Sequence, residues 1–333
     1  FSGCRLADPS PEPKPVAPIV FRSSSGDEQD VGQVRFEDFQ IVDPAGRPPI
    51  RFENSAGVCL REIHGQILVQ KGQETIRYDL GPEWLERHFP CDPIRQLPLA
   101  PLDRLRVVEN KRAAGALQQL PPHRLRAEAR YLIFAQQNDL VQLEMAYQQV
   151  GRYQGKLLRV EIHSPEGRQV QSVELPFQKT TSVEFRAPET GVFQIVGLPG
   201  LNTLRLVRSS HPAAIGGQRG FIHLLGTVGQ YYLYLPANRR LGVSVAGEGP
   251  KEQFSVELTD QEGRLLWQQA NCDSPRSILL EAQEKDRILQ LRLLRPKEAT
   301  LEDVYIQFRG LGALLSFQPE FLLYADPPSP AKK

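Results

Sequence analysis

Residues 160–168 read VEIHSPEGR, and residues 256–264 read VELTDQEGR, 96 positions later (256 − 160). In each stretch an alternating strand (Leu158, Val160, Ile162; Phe254, Val256, Leu258) runs into a polar turn that ends in Glu-Gly-Arg. A second apolar segment follows from Val170 or Leu265. Alternation of period two around a Gly turn marks a β-hairpin, with Gly167 and Gly263 expected at positive φ, which a side chain resists. Glu161 and Glu257 alternate with the apolar positions, so they are expected on the solvent face, paired across the hairpin with Arg168 and Arg264. Glu161 with Glu166, and Glu257 with Glu262, flank a tight turn rather than a cleft, which is the wrong setting for a glycosidase carboxylate pair.

The likeness extends outward from the hairpins. RYLIFAQQNDLVQLEMAY (130–147) lies over QYYLYLPANRRLGVSVAG (230–247) at an offset of 100 (231 − 131), so that Tyr131 meets Tyr231, Asn138 meets Asn238, and Val141, Leu143 and Met145 meet Leu241, Val243 and Val245. Beyond the hairpins SVEF (182–185) meets SILL (277–280), and GVFQIVGL (191–198) meets RILQLRLL (287–294). An ordered series with one loop deletion is the mark of a duplicated domain. The fold class expected is all-β: tandem antiparallel β-sandwiches of jelly-roll or immunoglobulin-like type at 128–218 and 219–328, each a run of short strands. Before them, VRFEDFQIVD, PIRFEN, VCLREIHG, QILVQKG and ETIRYDL, separated by turn-formers, predict a small β-rich domain at 31–127. Within it GPEWLERHFP is a short helix bounded by Pro82 and Pro90, and 92–127 a connector with one strand at DRLRVVEN. Residues 1–30 form a Pro-rich leader and 329–333 a polar tail.

The order YLIF … NDLVQL … LLRVEIHSPEGR … VEFRAPETGVFQI, echoed by YYLYL, VELTDQEGR and RILQL, resembles the bacterial pre-peptidase C-terminal type of β-sandwich. The resemblance covers residues 128–328 and departs from the pattern where APETG at 187–191 has only AQEKD at 282–286. Such domains are accessory modules of secreted proteins, so the resemblance implies a non-catalytic, extracytoplasmic role. FSGC at residues 1–4 resembles the end of a bacterial lipoprotein signal. Cys4 is then either the lipid anchor, followed by the Pro-rich tether, or a free cysteine in a leader. An exported protein of the periplasm, cell surface or medium is the expectation, with contact to a membrane only through that anchor.

Composition supports this class. Lys plus Arg is 40 against 39 Asp plus Glu, so no excess charge draws the chain to nucleic acid. Phe and Tyr are plentiful, Met145 is the single methionine, and Pro and Gly number 28 and 26, which suits short strands and turns. The length of 333 residues suggests several separate cores. Cys59 and Cys91 fall in one domain and form either a disulfide or two buried thiols. Cys272 has no evident partner, and no Cys-x-x-Cys or His spacing marks a zinc site.

No HExxH, GxSxG or GxGxxG is present, and GRYQGK (151–156) lacks the Ser or Thr of a phosphate loop, so no cofactor and no metal are expected. The six histidines show no ligand spacing. The remaining candidates are aromatic rings that stack on sugars while polar neighbours meet the hydroxyls: Trp267 and Tyr153 in or near loops, and the run Tyr231, Tyr232 and Tyr234, of which alternation puts at least one on an outer face. A non-catalytic protein that binds a glycan or an extracytoplasmic protein is therefore the leading expectation. One alternative is an association with glycoside hydrolase or lyase chemistry, for which Glu37, Asp38, Asp79, Glu83 and Glu86 are the available carboxylates. The other is a structural subunit assembling through sheet edges.

Overall fold

In this computed structural model the described residues are 94, 97–102, 105–111, 115–217, 220–247, 252–273, 275–297, 299 and 301–325, together with the backbone of six strands before residue 81. The chain divides into two compact units, Phe1–Gln96 and Leu97–Lys333. In the first, β1 (Cys4–Arg5) pairs with β2 (Pro18–Ile19), β3 (Phe36–Ile41) with β4 (Ile50–Glu53), and β5 (Gly65–Lys71) with β6 (Glu74–Leu80), all antiparallel. The helix expected at residues 82–90 lies outside the described residues.

The second unit is all-β. Its strands are β7 (Leu105–Asn110), β8 (Gln118–Gln119), β9 (Leu125–Ala135), β10 (Leu140–Gln148), β11 (Leu157–His163), β12 (Gln169–Pro176), β13 (Thr180–Arg186), β14 (Gly191–Ser209) and β15 (Ala213–Gly217). They continue with β16 (Phe221–Leu225), β17 (Gly229–Leu235), β18 (Leu241–Gly247), β19 (Phe254–Asp260), β20 (Leu265–Cys272), β21 (Arg276–Leu280), β22 (Arg287–Leu294), β23 (Asp303–Arg309), β24 (Ala313–Ser316) and β25 (Phe321–Ala325). Ten of them form one antiparallel sheet in the order β12-β11-β14-β9-β15-β24-β17-β22-β19-β20. Two smaller sheets, β13-β10-β14-β8 and β21-β18-β23-β16, pack on its two halves and complete tandem sandwiches.

Strand register reproduces the sequence offsets. Val160 lies opposite Gly197 and opposite Val173; 96 positions on, Val256 lies opposite Leu293 and opposite Gln269. Met145 faces Leu206, and Val245 faces Ile306, at the offset of 100. Alternate residues of these strands point inward, because successive side chains in a strand leave opposite faces. Val141, Leu143, Met145, Val160, Ile162, Phe193 and Ile195 are thereby buried in the first sandwich, and Val243, Val245, Val256, Leu258, Leu289 and Leu291 in the second.

The halves meet through equivalent strands. Ile215 of β15 lies opposite Leu315 of β24, Ala214 opposite Ser316 and Gly216 opposite Leu314, so residues 100 apart exchange places about a local two-fold axis. The core therefore runs unbroken through both sandwiches, with Tyr131, Ile215, Leu315, Tyr231 and Phe317 near its middle. This differs from the separate cores expected, because the joining sheet leaves no boundary at which one core could end. The chain returns from β15 to β16 at Gly217, where an added Cβ would lie 2.0 Å from the carbonyl oxygen of Phe221.

The outer face of the central sheet at this join is covered. β7 pairs with β25, and Leu132, Val192, Ala214 and Leu314 pack with Phe321, Leu323, Ala325 and Leu102 as a second apolar layer. Gly310 donates to the Pro98 carbonyl at 2.8 Å, and Ala100 bridges Gly312. Residues 97–110, expected in a connector, are thus built into the sandwich unit.

Candidate functional site

The hairpins that defined the fold are geometric twins. Gly167 has φ 81° and Gly263 φ 80°; Gly167 N–H donates to Ser164 O at 2.9 Å, and Gly263 N–H to Asp260 O at 3.0 Å. The glutamates depart from the expected pairing. Glu161 meets Arg159 and His163 along its own strand, and Glu257 meets Arg292 on β22 at 2.9 Å. The turn arginines find closer acids: Arg168 binds Glu166 and Glu189, and Arg264 binds Asp260 at 2.8 Å. Burial raises the Asp260 pKa, but the backbone N–H and guanidinium of Arg264 outweigh it and hold the carboxyl below the usual carboxylate range. These groups serve the turn.

An open concavity lies at one end of the first sandwich, where β10 ends, β13 begins and the loop 149–156 leaves for β11. Ala146, Tyr147, Gln148, Gln149, Gln178, Lys179 and Thr180 line an open groove of about 320 Å³, the lower end of the range for small-molecule sites. Its shape is set by backbone: Tyr147 N–H donates to Lys179 O (3.3 Å), Gln178 N–H to Tyr147 O (2.9 Å) and Phe177 N–H to Lys156 O (3.1 Å), with Gln178 at φ 59°. The Tyr147 ring meets Phe177 edge-on at 5.2 Å. Asn202, buried, fixes the adjoining loop by accepting from Val150 N–H at 3.0 Å and reaching the Tyr147 hydroxyl at 3.4 Å. The carboxamides of Gln178 and Gln149 bond to each other at the rim.

Exposed apolar side chains gather at the same end. Tyr153, in the loop, is 46% exposed, Leu157 at the start of β11 57%, and Leu198 and Leu201 in the bend of β14 69% and 55%. An exposed ring, amides and a cation around an open groove can hold a flat, hydroxyl-rich ligand by stacking and hydrogen bonding.

The structure separates the aromatic candidates. Tyr153 is exposed on the groove's loop. Tyr231, at 1% exposure, is a core residue whose phenol is pushed up by burial, so it leaves the set of ligand contacts. Trp267 lies in β20 rather than in a loop, opposite Leu258, with its half-buried ring on the core. Tyr232 lies opposite Gln290 on the outer face and accepts from Gln230. Tyr234 is partly covered by Tyr324 at 5.6 Å; desolvation and a hydrogen bond to Asp286 raise its pKa. Cys59, Cys91, Glu83 and Glu86 lie outside the described residues, and Cys4, Glu37, Asp38 and Asp79 are described as strand backbone only. Cys272 is a buried free thiol, and among the described residues no three His, Cys, Asp or Glu side chains gather as a metal site.

Two side-chain clusters escaped the sequence. Ser210 Oγ, His211 and Asp139 form a string, with 2.9 Å to Nδ1 and 3.3 Å from Nε2 to the carboxylate. The serine is buried and its oxygen already accepts Gln142 N–H at 2.8 Å, so the string clasps two turns together instead of presenting a nucleophile. Asp303 joins Arg126 and His223, the latter at 2.8 Å with its ring stacked on Tyr305 at 4.0 Å, and ties β9 to β16 and β23 inside the join between sandwiches. No sequence motif marks either cluster, since Asp139 lies 72 positions from His211, and Asp303 lies 80 and 177 positions from His223 and Arg126.

No protein family matches the sequence, and no curated protein matches it. Among solved structures, the tandem CBM51 modules of a family 98 glycoside hydrolase from Streptococcus pneumoniae align over 65% of this chain and 98% of theirs, at 10% identity and a TM-score of 0.20. The N-terminal CBM22-1–CBM22-2 tandem domain of Xyn10C from Paenibacillus barcinonensis aligns over 62% and 91%, at 12% identity and a TM-score of 0.18. Superposition this loose carries no argument about ligand.

Proposed function

We propose that the chain is an exported, non-catalytic binding protein that holds a glycan in the groove of its first sandwich. The observation that carries this reading is the groove itself, with the amides of Gln148, Gln149 and Gln178 and the Lys179 ammonium around it, and the exposed Tyr153 ring on its bordering loop. Amide and ring lining suits sugar hydroxyls and apolar sugar faces, and no reacting pair of side chains lies in it. The order of motifs that resembles pre-peptidase C-terminal sandwiches supports an accessory role outside the cytoplasm. A glycan array run beside turnover assays on the same polysaccharides tests the reading. Binding without turnover, lost at least tenfold in a Gln148→Ala/Gln178→Ala variant with an unchanged melting temperature, supports it; turnover, or binding untouched by the variant, overturns it.

A structural subunit is the second reading. Among the described residues β12 and β20, the two ends of the ten-stranded sheet, are paired on one side only, and β20 (LLWQQANC) carries no charge. Such an edge is a template for another strand. Light scattering of the purified chain decides: concentration-dependent growth abolished by Gln268→Lys favours assembly, and a monomer at all concentrations removes it.

A further inference from the structure

We infer that the ligand of the groove is an acidic glycan, carrying uronate or sulfate groups; this rests on the glycan reading above. One cation lines the site and two more lie in its bordering loop. Lys179 is in its lining, Lys156 supplies the carbonyl that holds Phe177 N–H, and Arg152 sits in the turn closed by Tyr153 N–H on Val150 O at 3.1 Å. All three side chains are exposed, and among the described residues none makes an ion pair. Other cations of the unit are neutralised, for Arg159, Arg168, Arg208, Arg240, Arg264 and Arg292 each meet a carboxylate within 3.3 Å. Nor is an acid within reach along the chain. The stretches 145–157, 175–180 and 198–203 contain no Asp or Glu; Glu144 is taken by Arg208, and Glu174 lies opposite Arg159 on the β11–β12 ladder.

Unpaired cations around a concave, partly apolar surface focus a positive potential into it, which attracts an anion and selects against neutral competitors. The rim amides remain for the hydroxyls. A uronate or sulfate oxygen is the group that meets lysine ammoniums as a point charge, while the pyranose face lies against the exposed Tyr153 ring.

The test uses the full chain and matched probes: oligogalacturonides with their methyl esters, and sulfated chondroitin oligosaccharides with their desulfated forms. The acidic member of at least one pair is expected to bind about tenfold tighter than its neutral twin. That advantage should shrink as salt rises from about 0.01 M to about 1 M, over which the screening length falls from about 30 to about 3 Å. A Lys156→Gln/Lys179→Gln variant should bring the acidic member down to the neutral one, and Lys285→Gln, in the second sandwich, should leave the difference intact. Equal affinity within every pair overturns the acidic preference and leaves the glycan reading standing. No binding to any member overturns both, and tighter binding of a single-stranded oligonucleotide than of any glycan overturns the ligand class.

Discussion

His123 shows how much one buried side chain sets the behaviour of this molecule with pH. It is buried between Tyr131, whose hydroxyl it meets at 3.1 Å, and Phe317, with Nδ1 against the Pro121 carbonyl at 2.7 Å. Burial first, and the charge of Arg205 beside it, push its pKa down from 6.5 to about 4 despite the backbone hydrogen bond. The unfolded chain therefore binds the extra proton between those values, so stability is full above about pH 6.5 and falls as the pH drops toward 4, by up to about 3 kcal/mol. Urea unfolding at pH 4 to 8 should show this slope, and a His123→Gln variant, less stable overall, should lose that part of it. The turn glycines make a second case. Nothing lies within 4 Å of a Cβ added at Gly167 or Gly263, so Ala there meets only backbone strain. A loss of about 1 kcal/mol is expected for each, and less for Asn, which tolerates left-handed backbone. The sequence disclosed both glycines because a tight turn is a local requirement; it gave no sign of His123, whose depressed pKa comes from Tyr131, Arg205 and Phe317.

At the scale of elements, the join between β15 and β24 is the feature that duplication made possible. Ile215 and Leu315 are equivalent positions that became cross-strand neighbours. Ile215→Ala and Leu315→Ala are each expected to cost about 2 to 5 kcal/mol, and a double-mutant cycle should show coupling of at least about 0.5 kcal/mol because the two share one contact. Additive losses would show that the two side chains act apart. The buried cluster at the same join should be less forgiving: Asp303→Ala removes the buried carboxylate that meets both Arg126 and His223 and is expected to cost about 3 to 5 kcal/mol in chemical denaturation. Alternation along β17 announced that tyrosines would divide between faces, yet only tertiary packing decided that Tyr231 is core and Tyr232 is half-buried on the opposite face.

For the whole molecule, a core continuous through both sandwiches predicts that they unfold together. In a Trp84→Phe background Trp267 fluorescence reports on the second sandwich alone. Ile162→Ala, deep in the first sandwich, should then lower the Trp267 transition as much as it lowers a probe in its own half. Independent sandwiches would leave Trp267 unmoved. The groove belongs to this scale as well. It is assembled from residues near 147, 156, 178 and 202, held by backbone bonds that cross between strands. Of its parts the sequence offered only Tyr153, as a loop aromatic.

What the sequence determined by itself is local and repetitive: period-two strands, glycine turns at positive φ, the order of elements and the 96 and 100 offsets that register later matched. Such features follow from φ and ψ preferences and from side-chain alternation, which act within a few residues. The tertiary structure alone decided which tyrosine faces are covered, that two sandwiches share one core, that the N-terminal end of this unit closes over its C-terminal strand, and where unpaired cations meet a groove. Burial and potential depend on neighbours tens to hundreds of positions away, and pairing of distant strands, set by the competition for apolar contact, is what brings them together.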